Sequence, residues 1–172
     1  MKVFFIADTH FGEPSILRYE NRPFSSVKEA DEAMISRWNA VVGEGDIVWH
    51  LGDFGADGHE KEVLSALHGV KYLVKGNHDT KSNEAYRSFG FAEVYDHPII
   101  LDGFFILSHE PLYVNTNMPY ANLFGHVHNS PTIRDFSAQH YCVSVERIEY
   151  TPICFELIKQ RIAEEVKKQE KP

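Results

Sequence analysis

Val3-Phe4-Phe5-Ile6-Ala7-Asp8-Thr9-His10 begins as an unbroken apolar run and ends on two side chains of a different kind. An apolar stretch with no polar alternation is what a strand buried on both faces requires, so residues 2–7 read as a strand. Asp8 and His10 stand directly beyond it. The same pattern recurs along the chain. Asp53 follows the run at 46–51, Asn77-His78-Asp79 follow the run at 70–75, His109 follows 104–108, and His126 and His128 follow 122–124. A further strand is expected at 140–145. In α/β sheets ligands bind in the crevice outside the carboxyl ends of strands, which is where these polar groups fall. Gly52, Gly76 and Gly125 fit tight turns in which the backbone approaches a ligand closely.

Helical patterns lie between the strands. Ser26 is an N-cap signal for a helix to about Val42, with Ala30, Ala33, Met34, Trp38 and Val41 near helical spacing. Further helices are expected over 59–67, stopped at Gly69, and over 82–89, stopped at Gly90. Ile158, Ile162 and Val166 form the stripe of a last helix, solvated after about 163. Asp102-Gly103, between runs at 99–101 and 104–108, signals a hairpin and so an antiparallel pair. Strands alternating with helices, followed by a hairpin-bearing second half, predict an α/β fold with a mixed sheet. With 172 residues the chain is read as one domain, 1–172.

The charge balance is acidic, with 17 Lys plus Arg against 25 Asp plus Glu and a net charge of −8. Sequence-independent binding to duplex nucleic acid relies on Lys and Arg, so no such partner is expected. A small phosphate ester is still compatible, because bound cations reverse the local field. No apolar run approaches the roughly 20 residues that span a bilayer, so no membrane partner is expected and the cytoplasm is the expected location. Cys142 and Cys154 lack a CxxC spacing and read as free thiols. Oligomeric state has no signature in the sequence.

The polar groups beyond the strands share one chemistry. Asp8, Asp53 and Asn77 offer oxygen, His10, His109, His126 and His128 offer imidazole nitrogen, and none is a thiolate. Mixed nitrogen and oxygen donors suit Mn, Fe, Zn, Co or Ni better than Ca or Mg. The set is too large for one ion with an open position and fits two divalent ions sharing a carboxylate. A lone Asp after a strand is usually a cap, and a lone His usually a satisfied core or surface residue. That plain reading is preferred for His50, His59, His68, His97 and His140, but for the set beyond the strands it requires repeated coincidence.

Asp8-x-His10, Gly52-Asp53, Gly76-Asn77-His78-Asp79, His109 and Gly125-His126-x-His128 stand in the order seen in calcineurin-like metallophosphoesterases. The resemblance runs from about Val3 to Ile158 and is similar to a compact bacterial or phage branch, through Asp8-Thr9-His10-Phe11-Gly12 and Asn21-Arg22-Pro23-Phe24. It implies a four-layer α/β/β/α sandwich of mixed sheets with two metal ions, Mn foremost, between the sheets. One ion would be held by Asp8, His10, Asp53 and His128, the other by Asp53, Asn77, His109 and His126. His78 would face the substrate, and Asp79 would orient its imidazole. Hydrolysis would proceed through a hydroxide bridging the ions, assisted by His78. The chain departs from the protein phosphatases, which carry GDxxDRG and GNHE, and from purple acid phosphatases, whose metal-binding Tyr is replaced by Asp57. It is too short for the capping domain of the repair nucleases.

These departures leave a small, accessible ester as the implied substrate, with nucleotide-derived phosphodiesters favoured. A phosphomonoesterase, or a binding module that has lost catalysis as in the retromer scaffold, are the alternatives. Arg18, Tyr19 and Arg22 follow the first motif. They read equally as substrate contacts, Arg22 the better candidate, or as a loop packed through Phe24 and paired with surface carboxylates.

Overall fold

The structure, a computed structural model, describes residues 1–56 and 58–169. Asp57 lies outside the described residues. The chain runs β1 (Val3–Ile6), α1 (Pro14–Tyr19), α2 (Val27–Val41), β2 (Ile47–His50), α3 (Glu60–Ala66), β3 (Val70–Val74), α4 (Asn83–Phe89) and β4 (Glu93–Tyr95). It continues through β5 (Ile99–Leu101), β6 (Phe105–Leu107), β7 (Ala121–Phe124), β8 (His140–Cys142), β9 (Ile153–Cys154) and α5 (Phe155–Gln169). Two mixed sheets result, a five-stranded one ordered β4-β3-β2-β1-β9 and a four-stranded one ordered β5-β6-β7-β8. The α/β architecture expected from the strand and helix patterns is therefore present.

Local chemistry accounts for the elements. The Ser26 hydroxyl accepts from the Glu29 N–H at the start of α2, and the Ser82 hydroxyl does the same for Ala85 at the start of α4. Ala30, Met34 and Trp38 form the buried face of α2. The Asp102-Gly103 turn closes β5 onto β6 with positive φ at both central residues, 52° and 67°, and β5 and β6 pair antiparallel as that turn dictates.

Three elements carried no usable signal. β4 is a three-residue Glu-Val-Tyr strand, and β9 has two residues, paired among the described residues only with β1. α1 begins on a proline and lacks a side-chain N-cap. β8 is shorter than the strand expected over 140–145, because the chain leaves the second sheet there and Ser144 bridges to Ala7, just beyond β1.

The register places the site. Ile6 pairs with His50, and His50 with Leu73, so β1, β2 and β3 end level and their following loops emerge side by side. Beyond β1, the Ala7 N–H donates to the Val143 carbonyl at 2.9 Å and its own carbonyl accepts from Val145 at 3.1 Å. This short parallel bridge joins the carboxyl ends of the two sheets. Behind it Phe155 packs on Phe5 and Phe105, one from each sheet, with centroids 5.2 and 4.7 Å away. The sheets thus share one core. Their helical cover is unequal: α1 to α4 arise in the connections of the first sheet, α5 touches β1, β9 and β8, and loops connect the second sheet among the described residues.

Candidate metal centre

Asp8, His10, Asp53, His126 and His128 all take left-handed backbone conformations, with φ of 60°, 46°, 56°, 68° and 44°. That region costs an L-residue about 1–2 kcal/mol, with Asp and His more tolerant than most. Strain of this kind persists only where surrounding structure enforces it, and it concentrates at functional sites. Here backbone pairing enforces it: Asp8 N–H donates to Gly52 O at 2.9 Å and His10 N–H to Asp53 O at 3.0 Å. The sharp turns aim the side chains back across the strand ends. Glycines leave room for them. A Cβ on Gly76 would stand 2.2 Å from Asp53 Oδ1, one on Gly52 2.4 Å from His109 Nδ1, and one on Gly125 2.7 Å from Asp8 Oδ2.

The donor atoms converge in two neighbouring groups. Asn77 Oδ1 is 3.0 Å from both His109 Nε2 and His126 Nδ1, and those two nitrogens are 3.1 Å apart. His109 donates its Nδ1–H to the Leu51 carbonyl at 2.9 Å, which directs Nε2 into this cluster. On the other side the ligand atoms of Asp8, His10 and His128 lie within 4.8 Å of one another. His10 Nε2 is buried there with no hydrogen-bond partner. Asp53 Oδ2 stands between the groups, 3.3 Å from His109 Nε2 and 3.5 Å from His10 Nε2. Lone pairs crowded this closely repel unless a proton or a cation lies among them, so the donor set fits two cations with Asp53 in common. His50 is buried against Thr9, and His140 bonds the Leu112 carbonyl; neither enters the cluster.

Protons do part of the cations' work in the cation-free protein. Burial works to lower the His109 imidazole, but its hydrogen bond to Asp53 and the charges of Asp8 and Asp53 outweigh it and raise it to about 9. Burial works to raise Asp53, yet the His109 hydrogen bond and charge bring it to about 2. Asp8, fully enclosed, is pushed up to about 6 by burial, against the pull of His128 and His109. Burial lowers His10, despite the attraction of Asp53 and Glu13.

Carboxylates absent from the sequence reading hold the imidazoles. Glu13 Oε2 accepts from His10 Nδ1 at 2.7 Å and is itself held by Ser15. Glu146 accepts from His128 Nδ1 at 3.2 Å. Glu13 sits three residues beyond His10 and could have been sought there; Glu146 has no local signal.

Two expectations need correcting, those for Arg22 and Asp79. Arg22 is buried: it donates to the carbonyls of Asp8 and Thr9 at 2.6 and 2.8 Å and pairs with Glu146 at 2.7 Å. It therefore has no exposed head for a substrate, and its carboxylate partner is not on the surface either. Arg18 is exposed on α1, with its guanidinium 5.7 Å from the Tyr19 ring, and among the described residues nothing ties it to the centre. Asp79 does not bond the His78 imidazole. It accepts from the backbone N–H groups of Asp53, Gly76 and Phe54 at 2.7, 2.8 and 3.1 Å. His78 itself is exposed at the rim, its ring 5.2 Å from that of His10 and its N–H bonded to Asp53 Oδ1 at 2.9 Å.

The family model for calcineurin-like phosphoesterases matches residues 1–151. The chain belongs to the calcineurin-like phosphoesterase family. This calcineurin-like phosphoesterase is 32% identical over 173 residues to an uncharacterised protein of Methanocaldococcus jannaschii, covering 94% of this chain and 91% of that protein. It is 32% identical over 80 residues to the Gene 66 protein of Mycobacterium phage L5, covering 44% of this chain and 38% of the phage protein. A crystal structure of a protein of unknown function from Aquifex aeolicus superposes with a TM-score of 0.70 at 26% identity, covering 92% of this chain and 98% of that one. A small branch of the family, built as a calcineurin-like sandwich and acting as a metal-dependent phosphoesterase, accommodates all three observations. Among the described residues no helix is long and apolar enough to cross a membrane.

Proposed function

We propose that this phosphoesterase hydrolyses a small phosphodiester at a centre of two divalent cations, Mn²⁺ foremost, in the cytoplasm. The observation that carries the reading is the convergence of oxygen and nitrogen donor atoms on either side of Asp53, with His10 Nε2 buried and unpaired. Asp8, His10, Asp53 and His128 would hold one ion, and Asp53, Asn77, His109 and His126 the other. When bound, such ions acidify water into a nucleophile and neutralise charge on the phosphoryl oxygens.

The chain's own groups supply the rest. Asp8, His10, Asp53 and His109 are buried, whereas Asn77, His78 and His126 are exposed, so the centre opens on the side of that second group. A phosphate entering there meets the exposed His78. The His78 imidazole can hydrogen-bond a phosphoryl oxygen or give a proton to the departing oxygen. Beside it lies a groove of about 320 Å³, lined by Phe11, Glu13, His78, Thr80, Lys81 and Tyr86. Its volume is at the lower end of small-ligand sites, which run from about 300 Å³ upward, and suits the leaving alcohol of a compact ester. A nucleotide-derived alcohol, with several hydroxyls, fits this polar lining.

A panel of mono- and diesters tested against protein loaded with Mn²⁺, Fe²⁺, Zn²⁺, Co²⁺ or Ni²⁺ decides the matter. Diesters should be cleaved faster than the matching monoesters. A higher kcat/KM on monoesters would reverse that preference, and no turnover with any ion would point to a binding module.

A further inference from the structure

We infer that Arg22 and Glu146 act together as a positioning pair for one of the two cations, the ion assigned to Asp8, His10, Asp53 and His128. Their side chains are enclosed, 0% and 4% exposed, and they meet through both Nη2 and Nε of the arginine, at 2.7 and 2.9 Å. Each also reaches a proposed ligand by a different route. Glu146 accepts the Nδ1–H of His128, which fixes the tautomer with Nε2 free and makes that nitrogen more basic. Arg22 grips the carbonyls of Asp8 and Thr9, the peptide run in which the left-handed turn at Asp8 aims its carboxylate inward. One guanidinium therefore ties the Asp8 turn to the support of His128, 120 positions along the chain.

The surroundings keep this pair fixed. Phe24, two residues after Arg22, packs on Tyr150 with centroids 5.0 Å apart, and the Arg22 guanidinium itself lies 5.9 Å from the Tyr150 ring. Arg37 covers both rings and donates to the Glu149 carbonyl at 3.0 Å. The segment around Arg22 is thus clamped to the segment around Glu146. Lysine could not replace the arginine here, because a single ammonium lacks the planar fork that reaches a carboxylate and two carbonyls at once.

The inference rests on the two-cation reading, and titration of metal-free protein with Mn²⁺ separates the two. Wild type should bind two ions. Glu146→Gln should weaken one of them ten- to a hundredfold, the usual cost of losing a partner behind a ligand, and leave the other within about threefold. Arg22→Lys should weaken the same ion, which keeps the test open if Glu146→Gln fails to fold. Thermal unfolding provides a readout independent of activity: the rise in Tm on saturation with Mn²⁺ should shrink in both variants. Unchanged affinities, or equal weakening of both ions, would overturn the inference, as would a Tm lowered equally with and without Mn²⁺. A wild type that binds two ions but cleaves no ester would sink the proposed function alone. A wild type that binds none would sink both.

Discussion

The Asp79 carboxylate accepts a hydrogen bond from the backbone N–H of Asp53 at 2.7 Å, and with its bonds to Phe54 and Gly76 it fastens the loop after β2 to the loop after β3. Asp53 and Asn77, one from each loop, are thereby set in register. Asn in place of Asp79 has one fewer acceptor and would leave at least one of these buried N–H groups facing an amide NH₂. The cost of such an unsatisfied group is about 1–3 kcal/mol. Asp79→Asn should therefore lower the Tm and lose bound metal together. A variant that kept its Tm and metal content while losing turnover alone would show Asp79 acting through His78 instead.

The close approach of Gly52 and Gly76 to the ligands gives a second expectation. An alanine at Gly76 places its methyl group against Asp53, and one at Gly52 does so against His109 while also adopting φ of 92°. Overpacking of this kind costs about 1–3 kcal/mol, and the ligands must move to relieve it. Either substitution should cut Mn²⁺ affinity far more than Gly58→Ala, whose added methyl meets nothing within 4 Å. Equal effects at the three positions in a metal titration would contradict the packing account.

His78 is exposed at the mouth of the centre, its ring 5.2 Å from that of His10. His78→Ala should retain both ions and the wild-type Tm while kcat falls by about 10²–10⁴, the range for loss of a general acid. Full activity in that variant would remove His78 from the reaction.

Much of this is legible in the sequence. The apolar runs located β1, β2, β3, β6 and β7, and the residues just past them are the ones whose side chains converge. That legibility has a physical source: a doubly buried strand has no polar positions, so the first polar residue marks its end. The supports were hidden because they are pairings across the sequence. Arg22 and Glu146 are 124 residues apart, and nothing in either neighbourhood announces the other. Arg22 reads equally as a substrate contact or as part of a packed loop, because the partners that bury it, Glu146 and Tyr150, lie far along the chain. β9 was invisible for the same reason, being a strand only by virtue of its partner β1.

Proton and metal compete for the same place. With its folded value raised to about 9 from an ordinary 6.5, His109 is protonated at neutral pH in the cation-free protein. A raised imidazole adds stability that is complete below the unfolded value and lost as pH climbs through the folded one. The metal-free protein should thus lose stability between pH 6.5 and about 9, and Mn²⁺ affinity should rise across the same interval as the proton to be displaced is lost. Calorimetric titration at pH 7.5 in buffers of different ionisation enthalpy should register release of about one proton on filling the centre. Uptake of protons, or a flat affinity profile over that interval, would place the charge elsewhere.

A two-cation centre that hydrolyses phosphate esters is tested by counting ions and turnover on the same sample. Metal-free protein is equilibrated with Mn²⁺, its bound metal measured, and its rate on a generic phosphodiester recorded. Two ions per chain should bind, with hydrolysis appearing only as they fill and vanishing with chelator. A single ion at saturation, or turnover that persists without metal, would contradict it.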